Sequence, residues 1–169
     1  ELRYIDLNAG SPKLYYFAGE ALSKASNLHE EANHITRMVM GADGNGYALS
    51  NDGNHLIKFT TGRKPVISDL GAIQDDASNG KISVHNRCTS WGGDLVAAAD
   101  GSLYLVSAYH SIFNIDVNNR SAKYIGGISG LPAGFTSNGA VVGDNGNLVV
   151  SSANSTEGYY SVDMKDWKA

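Results

Sequence analysis

The side chains best suited to chemistry in this chain are its five histidines, His29, His34, His55, His85 and His110. Imidazole binds metals and exchanges protons near neutrality. Their spacing is not that of a local zinc motif, so a shared site would need ligands converging from separate parts of the chain. The densest cluster is His85-Asn86-Arg87-Cys88, followed by Trp91. An aromatic surface, a cation and titratable rings together suit a polar or anionic partner. The candidate ligand-binding set is therefore His34, His55, His85, Asn86, Arg87, Trp91 and His110, with no catalytic residue and no metal ligand assigned. Cys88, the single cysteine, reads as a small hydrophobe rather than a nucleophile, because no motif pairs it with a base. A different chemistry would use Asp75, Asp76, His85 and Asn86 as a polar site near an axis, open to a divalent cation. The turns Asp43-Gly44-Asn45-Gly46 and Asp144-Asn145-Gly146-Asn147 look like calcium loops. They lack the twelve-residue pattern with its final Glu, and hairpin chemistry accounts for them. No cofactor is expected, calcium being the one ion these turns could suit.

The elements that must position these residues recur along the chain. Ala42-Asp43-Gly44-Asn45-Gly46-Tyr47-Ala48-Leu49-Ser50 returns as Ala99-Asp100-Gly101-Ser102-Leu103-Tyr104-Leu105-Val106-Ser107. It returns again as Gly143-Asp144-Asn145-Gly146-Asn147-Leu148-Val149-Val150-Ser151-Ser152. Each copy is a hairpin turn followed by a β-rich strand ending in Ser. A second strand follows each: Leu56 to Thr60, Ile112 to Asp116 and Tyr159 to Asp163, with a related strand opening the chain at Leu2 to Asp6. Asp-Gly supplies the positive φ that a tight hairpin needs. The alternating third strands put Phe59, Ile115 and Val162 at equivalent buried positions.

Repeats of this length built from short strands predict an all-β fold, a β-propeller of about three four-stranded antiparallel blades. The whole chain, 1–169, reads as one propeller segment. Blade-like units cover about 1–18, 34–70, 91–126 and 136–169, with long connections at 19–33 and 71–90. Helix formers in the first connection predict a helical turn within 22–32. Three blades do not close a ring of four to eight. The remaining blades would come from the same longer chain, a second copy or another subunit. In this layout the histidines share the face formed by blade-to-blade connections and second-to-third strand turns. The opposite face carries Asp43, Asp100, Asp144, Arg63, Lys64, Asn118 and Arg120.

The recurring Asp-Gly-Xaa-Leu or Gly-Tyr-Xaa strand resembles bacterial six- to eight-bladed propellers of the NHL-like and quinoprotein-like superfamily. That resemblance covers nearly the whole chain and implies the fold. It implies activity less strongly, since many such domains are scaffolds or sensors of the bacterial envelope. The WD40 Gly-His and Trp-Asp pairs, the complete sialidase Asp box, the kelch aromatic spacing and the quinoprotein tryptophan-docking motif are absent from the sequence.

Composition narrows the function classes. With 169 residues and 42% apolar content the chain can bury a core. It contains no apolar run long enough for a membrane-spanning helix. A net charge of −4 disfavours nucleic acid as the main partner. The expectation is a non-catalytic binding or scaffold module, extracytoplasmic (periplasmic, cell-surface or secreted), contacting a protein or glycan through its loop face. The alternative is a propeller hydrolase or lyase with a polar, cation-assisted site near the central channel.

Overall fold

Short β-branched and aromatic runs separated by Gly and Asp turns favour strands over helices, and strands dominate the computed structural model. It describes residues 2–17, 30–62, 64–154 and 158–169. A two-stranded sheet comes first, β1 (Leu2–Ile5) against β2 (Leu14–Phe17). Blade 1 is a four-stranded meander of β3 (Ile35–Met40), β4 (Gly46–Ser50), β5 (Leu56–Phe59) and β6 (Ile67–Asp69). A two-residue strand, β7 (Gln74–Asp75), lies in the following connection. Blade 2 contains β8 (Asp94–Ala97), β9 (Leu103–Val106), β10 (Ser111–Asp116) and β11 (Ser121–Gly127). Blade 3 contains β12 (Gly139–Val142), β13 (Leu148–Ser151) and β14 (Tyr159–Val162).

The chain is thus mostly β, with three antiparallel blades in the arrangement of a partial propeller. The inner strands β3, β8 and β12 are neighbours, so blade 2 sits between the other two. Two apolar layers fill the gaps. Tyr47, Leu49 and Leu56 of blade 1 meet Leu95, Leu105 and Phe113 of blade 2. Val96, Val106 and Ile112 of blade 2 meet Leu148, Val150 and Val162 of blade 3. Burying each such side chain is worth about 1.5–3 kcal/mol, so the two layers dominate cohesion. Phe59, Ile115 and Val162 are 8%, 5% and 0% exposed, which confirms the repeat register.

Two details depart from the sequence reading. Blade 2 has five strands, because β7 pairs in parallel with its outer strand β11 (Gln74 with Ser121, Asp75 with Ala122). Blade 3 repeats this in reduced form, where Ser129 bridges Lys168 in parallel and Lys168 bridges Asp163. In both blades the preceding connection thus covers the outer edge, a position otherwise open to unwanted pairing. Composition of the connection gave no sign of this, since the pairing is backbone to backbone. The expected helical turn at 22–32 falls largely outside the described residues. Its end is a 3₁₀ turn at Glu31–Asn33. A one-turn helix at Arg87–Ser90 was not foreseen.

Candidate functional site

The recurring terminal Ser organises the face on which the histidines lie. Ser50 Oγ accepts from the His55 N–H at 3.1 Å and donates to Asp52 at 2.6 Å. Ser107 Oγ accepts from the Ser111 N–H at 3.0 Å. Each Ser closes a second-to-third strand turn, and His110 occupies its turn with φ 69°. These turns and the blade-to-blade connections form the connection face.

Two residues outside the candidate set hold that face together. Asn51 is 4% exposed. Its Oδ1 accepts from Thr36 Oγ1 at 2.9 Å and from the Gly92 N–H at 3.1 Å, and its Nδ2 donates to the Glu31 carbonyl at 2.9 Å. Its backbone N–H donates to the His34 carbonyl at 3.0 Å. The segments carrying His34 and Trp91 are therefore tied to one side chain, on one face. Arg37, on β3, is 1% exposed. Its Nη1 donates to the Ser90 carbonyl at 2.6 Å and its Nη2 to the Ser50 carbonyl, while Nε has no partner. Burial lowers the guanidinium pKa to about 9, partly offset by Asp52. Arg37 stays charged at neutral pH and clamps blade 1 to the segment just before Trp91.

The predicted residues take distinct positions around this hub. The Arg87 guanidinium lies 5.0 Å from the centre of the Trp91 ring, within cation–π range, and Nη2 pairs with Glu31 at 3.0 Å. Both charged side chains are well exposed. Trp91 Nε1 is buried without a hydrogen-bond partner. Asn86 caps the Arg87–Ser90 helix through the Cys88 N–H. His85 Nδ1 donates to the Asp52 carbonyl at 2.6 Å, which puts the neutral ring's proton on Nδ1 and leaves Nε2 as the acceptor. His55 Nδ1 contacts Asp69 at 2.7 Å, on the outer strand of blade 1. His110 Nε2 donates to the Phe135 carbonyl at 2.7 Å, beside blade 3. His34, His85, Asn86, Arg87 and Trp91 thus gather around the blade 1–blade 2 junction, whereas His55 and His110 hold neighbouring turns. His29 and Glu157 lie outside the described residues. Cys88 is exposed, not the small buried hydrophobe expected of it. Its place in a one-turn surface helix explains the difference.

The carboxylates of the enzyme alternative are elsewhere. Asp75 is on β7 at the outer edge of blade 2, accepting from the Val84 N–H, Ser83 Oγ and Asn79 Nδ2. Asp76 caps the 3₁₀ turn Ala77–Asn79. The carboxylate among the inner strands is Asp94, whose Oδ2 accepts from the Ala140 N–H at 3.1 Å. Burial raises its pKa, and backbone donors at Ala140, Leu95 and Met38 oppose that rise. No group of three or more potential metal-binding side chains occurs among the described residues.

A cavity of about 600 Å³ opens on the opposite, hairpin face between blades 1 and 2. Asp43, Tyr47, Lys58, Asp100, Asn114 and Asp116 line it. Its carboxylates serve their own turns. Asp43 accepts from the Asn45 N–H at 3.1 Å, from Asn45 Nδ2 at 2.7 Å and from the Tyr47 hydroxyl at 2.7 Å. The Tyr47 hydroxyl is the main cause that lowers the Asp43 pKa to about 2. Desolvation and the same contact raise Tyr47 to about 12. Asp100 and Asp116 likewise accept from their own turns, at the Ser102 and Asn118 N–H groups. The Asp-Gly turns therefore carry out hairpin chemistry, as the sequence indicated.

No family model matches the chain, and no curated protein matches it. Solved propellers do. Virginiamycin B lyase from Staphylococcus aureus aligns at 12% identity with a TM-score of 0.51, over 96% of this chain and 59% of that one. The extracellular domain of a protein described as a one-component system from B. thetaiotaomicron aligns at 16% identity with a TM-score of 0.42. That alignment covers 79% of this chain and 17% of that one. A protein from Bacteroides uniformis described as a 6-phosphogluconolactonase aligns at 14% identity with a TM-score of 0.41, over 93% and 49%. The chain thus spans between about a sixth and three fifths of these proteins. At such identities the likeness concerns fold alone, and the lyase alignment supports what the blades display: this chain is built as part of a β-propeller.

Proposed function

We propose that the chain is a binding module of a propeller, working outside the cytoplasm, whose connection face contacts a polar or anionic protein or glycan. The observation that carries this reading is the exposed Arg87 guanidinium stacked on Trp91, set on segments anchored by Asn51 and Arg37. A flat aromatic ring offers a sugar or a planar group a stacking surface, and a guanidinium offers paired donors to a carboxylate. Glu31 holds that guanidinium weakly, because both partners are solvated. An anionic group can therefore replace it at small cost. His85 presents its Nε2 acceptor from the same junction. The propellers of the NHL-like and quinoprotein-like superfamily are the proposed relatives. A channel hydrolase or lyase is the weaker reading, since Asp75 and Asp76 lie on the outer edge of blade 2.

Tryptophan fluorescence tests the proposal. In a Trp167→Phe background Trp91 is the sole reporter, and it is titrated with polygalacturonate and, separately, with a poly-glutamate peptide. Saturable change with either ligand, abolished by Arg87→Ala, is expected. Unchanged emission with both would end the reading.

A further inference from the structure

Blade 2, flanked on both sides, shows what each face of a blade packs against. Its leading face, turned towards blade 1, carries Leu95, Leu105 and Phe113, which are 3%, 0% and 0% exposed. Its trailing face, turned towards blade 3, carries Val96, Val106 and Ile112, which are 2%, 0% and 0% exposed. Each internal interface joins the trailing face of one blade to the leading face of the next. Strand pairing fixes which residues correspond in the outer blades. Met38 pairs with Ala48, Leu95 with Leu105 and Ala140 with Val150, so the three inner-strand residues are equivalent. One position on, Val39, Val96 and Val141 correspond.

The outer blades leave one face of each kind in solvent along the inner strands. On the leading face of blade 1, Ala48 and Ile57 are buried, but Met38 is 53% and Met40 48% exposed. On the trailing face of blade 3, Val141 is 58% exposed, and Tyr159, the counterpart of Ile112, is 80% exposed. Val96 and Met38's counterpart Leu95 show the fate of such positions once a blade covers them.

We propose that these two faces are the halves of one interface, and that its occupant is a second copy of this chain docked head to tail. The Val141 and Tyr159 face of one copy lies against the Met38 and Met40 face of the other, continuing the trailing-to-leading order of both internal interfaces. Methionine is unbranched and adapts to the surface it meets, which suits a joint between separate chains. The contact is heterologous, so it must close into a ring or run on as an open series. Two copies bring six blades, within the range in which propellers close. The proposal is independent of the ligand assigned to the connection face.

Crosslinking tests the order of the faces. In a Cys88→Ser background, Met38→Cys and Val141→Cys are made in separate, differently tagged batches and treated with a short bis-maleimide. A covalent dimer carrying one of each tag, formed only in the mixture, is expected. Dimers within the Val141→Cys batch alone would overturn the head-to-tail order. Native mass spectrometry of the unaltered chain should give a dimer or a longer series. Met40→Lys with Val141→Lys should reduce it to monomer with an unchanged circular dichroism spectrum. A monomeric unaltered chain would overturn the second copy as occupant.

Discussion

The connection face and the hairpin face are built from the same repeat and differ in what holds them. On the hairpin face, Asp43, Asp100 and Asp116 each satisfy their own turn, and nearly every bond is local. On the connection face, the bonds are long-range. Asn51 reaches Gly92 across 41 residues, and Arg37 reaches Ser90 across 53. Local turns can repeat unchanged from blade to blade. Long connections need not repeat, so they can carry side chains such as Arg87 and Trp91 that occur once. Individual character, and the proposed binding surface, therefore sits where the repeat is broken.

Paired glycine substitutions should show this contrast most strongly. Gly93, on the connection face, has φ 78°, and an added Cβ would lie 1.9 Å from the Val106 carbonyl oxygen. Backbone cannot yield there cheaply, so Gly93→Ala should cost about 4 kcal/mol or prevent folding. Gly101, in a hairpin, has φ 87°, but its Cβ would meet nothing nearer than Ala42 at 3.6 Å. Gly101→Ala should cost about 1 kcal/mol, the strain of the left-handed conformation alone. Urea unfolding of the two variants decides it, and equal costs would erase the distinction between the faces.

The buried hub should come next. Arg37→Ala leaves the Ser50 and Ser90 carbonyls without their donor and opens a cavity. A loss of about 3 kcal/mol is expected in denaturant melts. Arg37→Met keeps the volume and removes the buried charge, so it should lose less. Asn51→Ala breaks three side-chain bonds at once and should cost about 2 kcal/mol, loosening the Glu31 and Gly92 segments together. Hydrogen exchange at the Gly92 amide would register that loosening directly.

The hairpin face should answer more mildly, through pH. The Asp43 pKa is depressed in the folded state, so the stability it contributes is fully present above the ordinary carboxylate pKa of 3.8 and fades as pH falls towards 2. Asp43 is exposed, so solvent screens much of that contribution. Tyr47→Phe removes the largest cause of the shift. Carboxyl NMR titration should show the Asp43 pKa rising towards 3.8, with the fold retained.

How much of this was legible in the sequence follows the same division. The Asp-Gly turns, the terminal Ser and the register of Phe59, Ile115 and Val162 repeat, and repetition made them visible. Sharing one face, His34, His85, Arg87 and Trp91 followed from strand order once the repeat was set. Arg37 and Asn51 were missed because their importance lies in carbonyl and amide groups that tertiary packing brings to them. Asp94 was missed for the same reason, its role depending on the strand beside it. Arg37 did carry one signal, a charged residue within the inner strand of a blade otherwise built to be apolar there. β7 carried none, and the hairpin-face cavity arises from the spacing between two blades.

The claim that the connection face is the binding surface is best tested by the indole N–H signals of the two tryptophans. Trp91 lies at the blade 1–blade 2 junction under Arg87, while Trp167 packs against Tyr104, 5.6 Å between ring centres. Titrating ¹⁵N-labelled protein with polygalacturonate or poly-glutamate should move the Trp91 indole and the Gly92 amide and leave Trp167 in place. Shifts confined to Ser102, Asn114 and Asn118, around the hairpin-face cavity, with Trp91 unmoved, would contradict it.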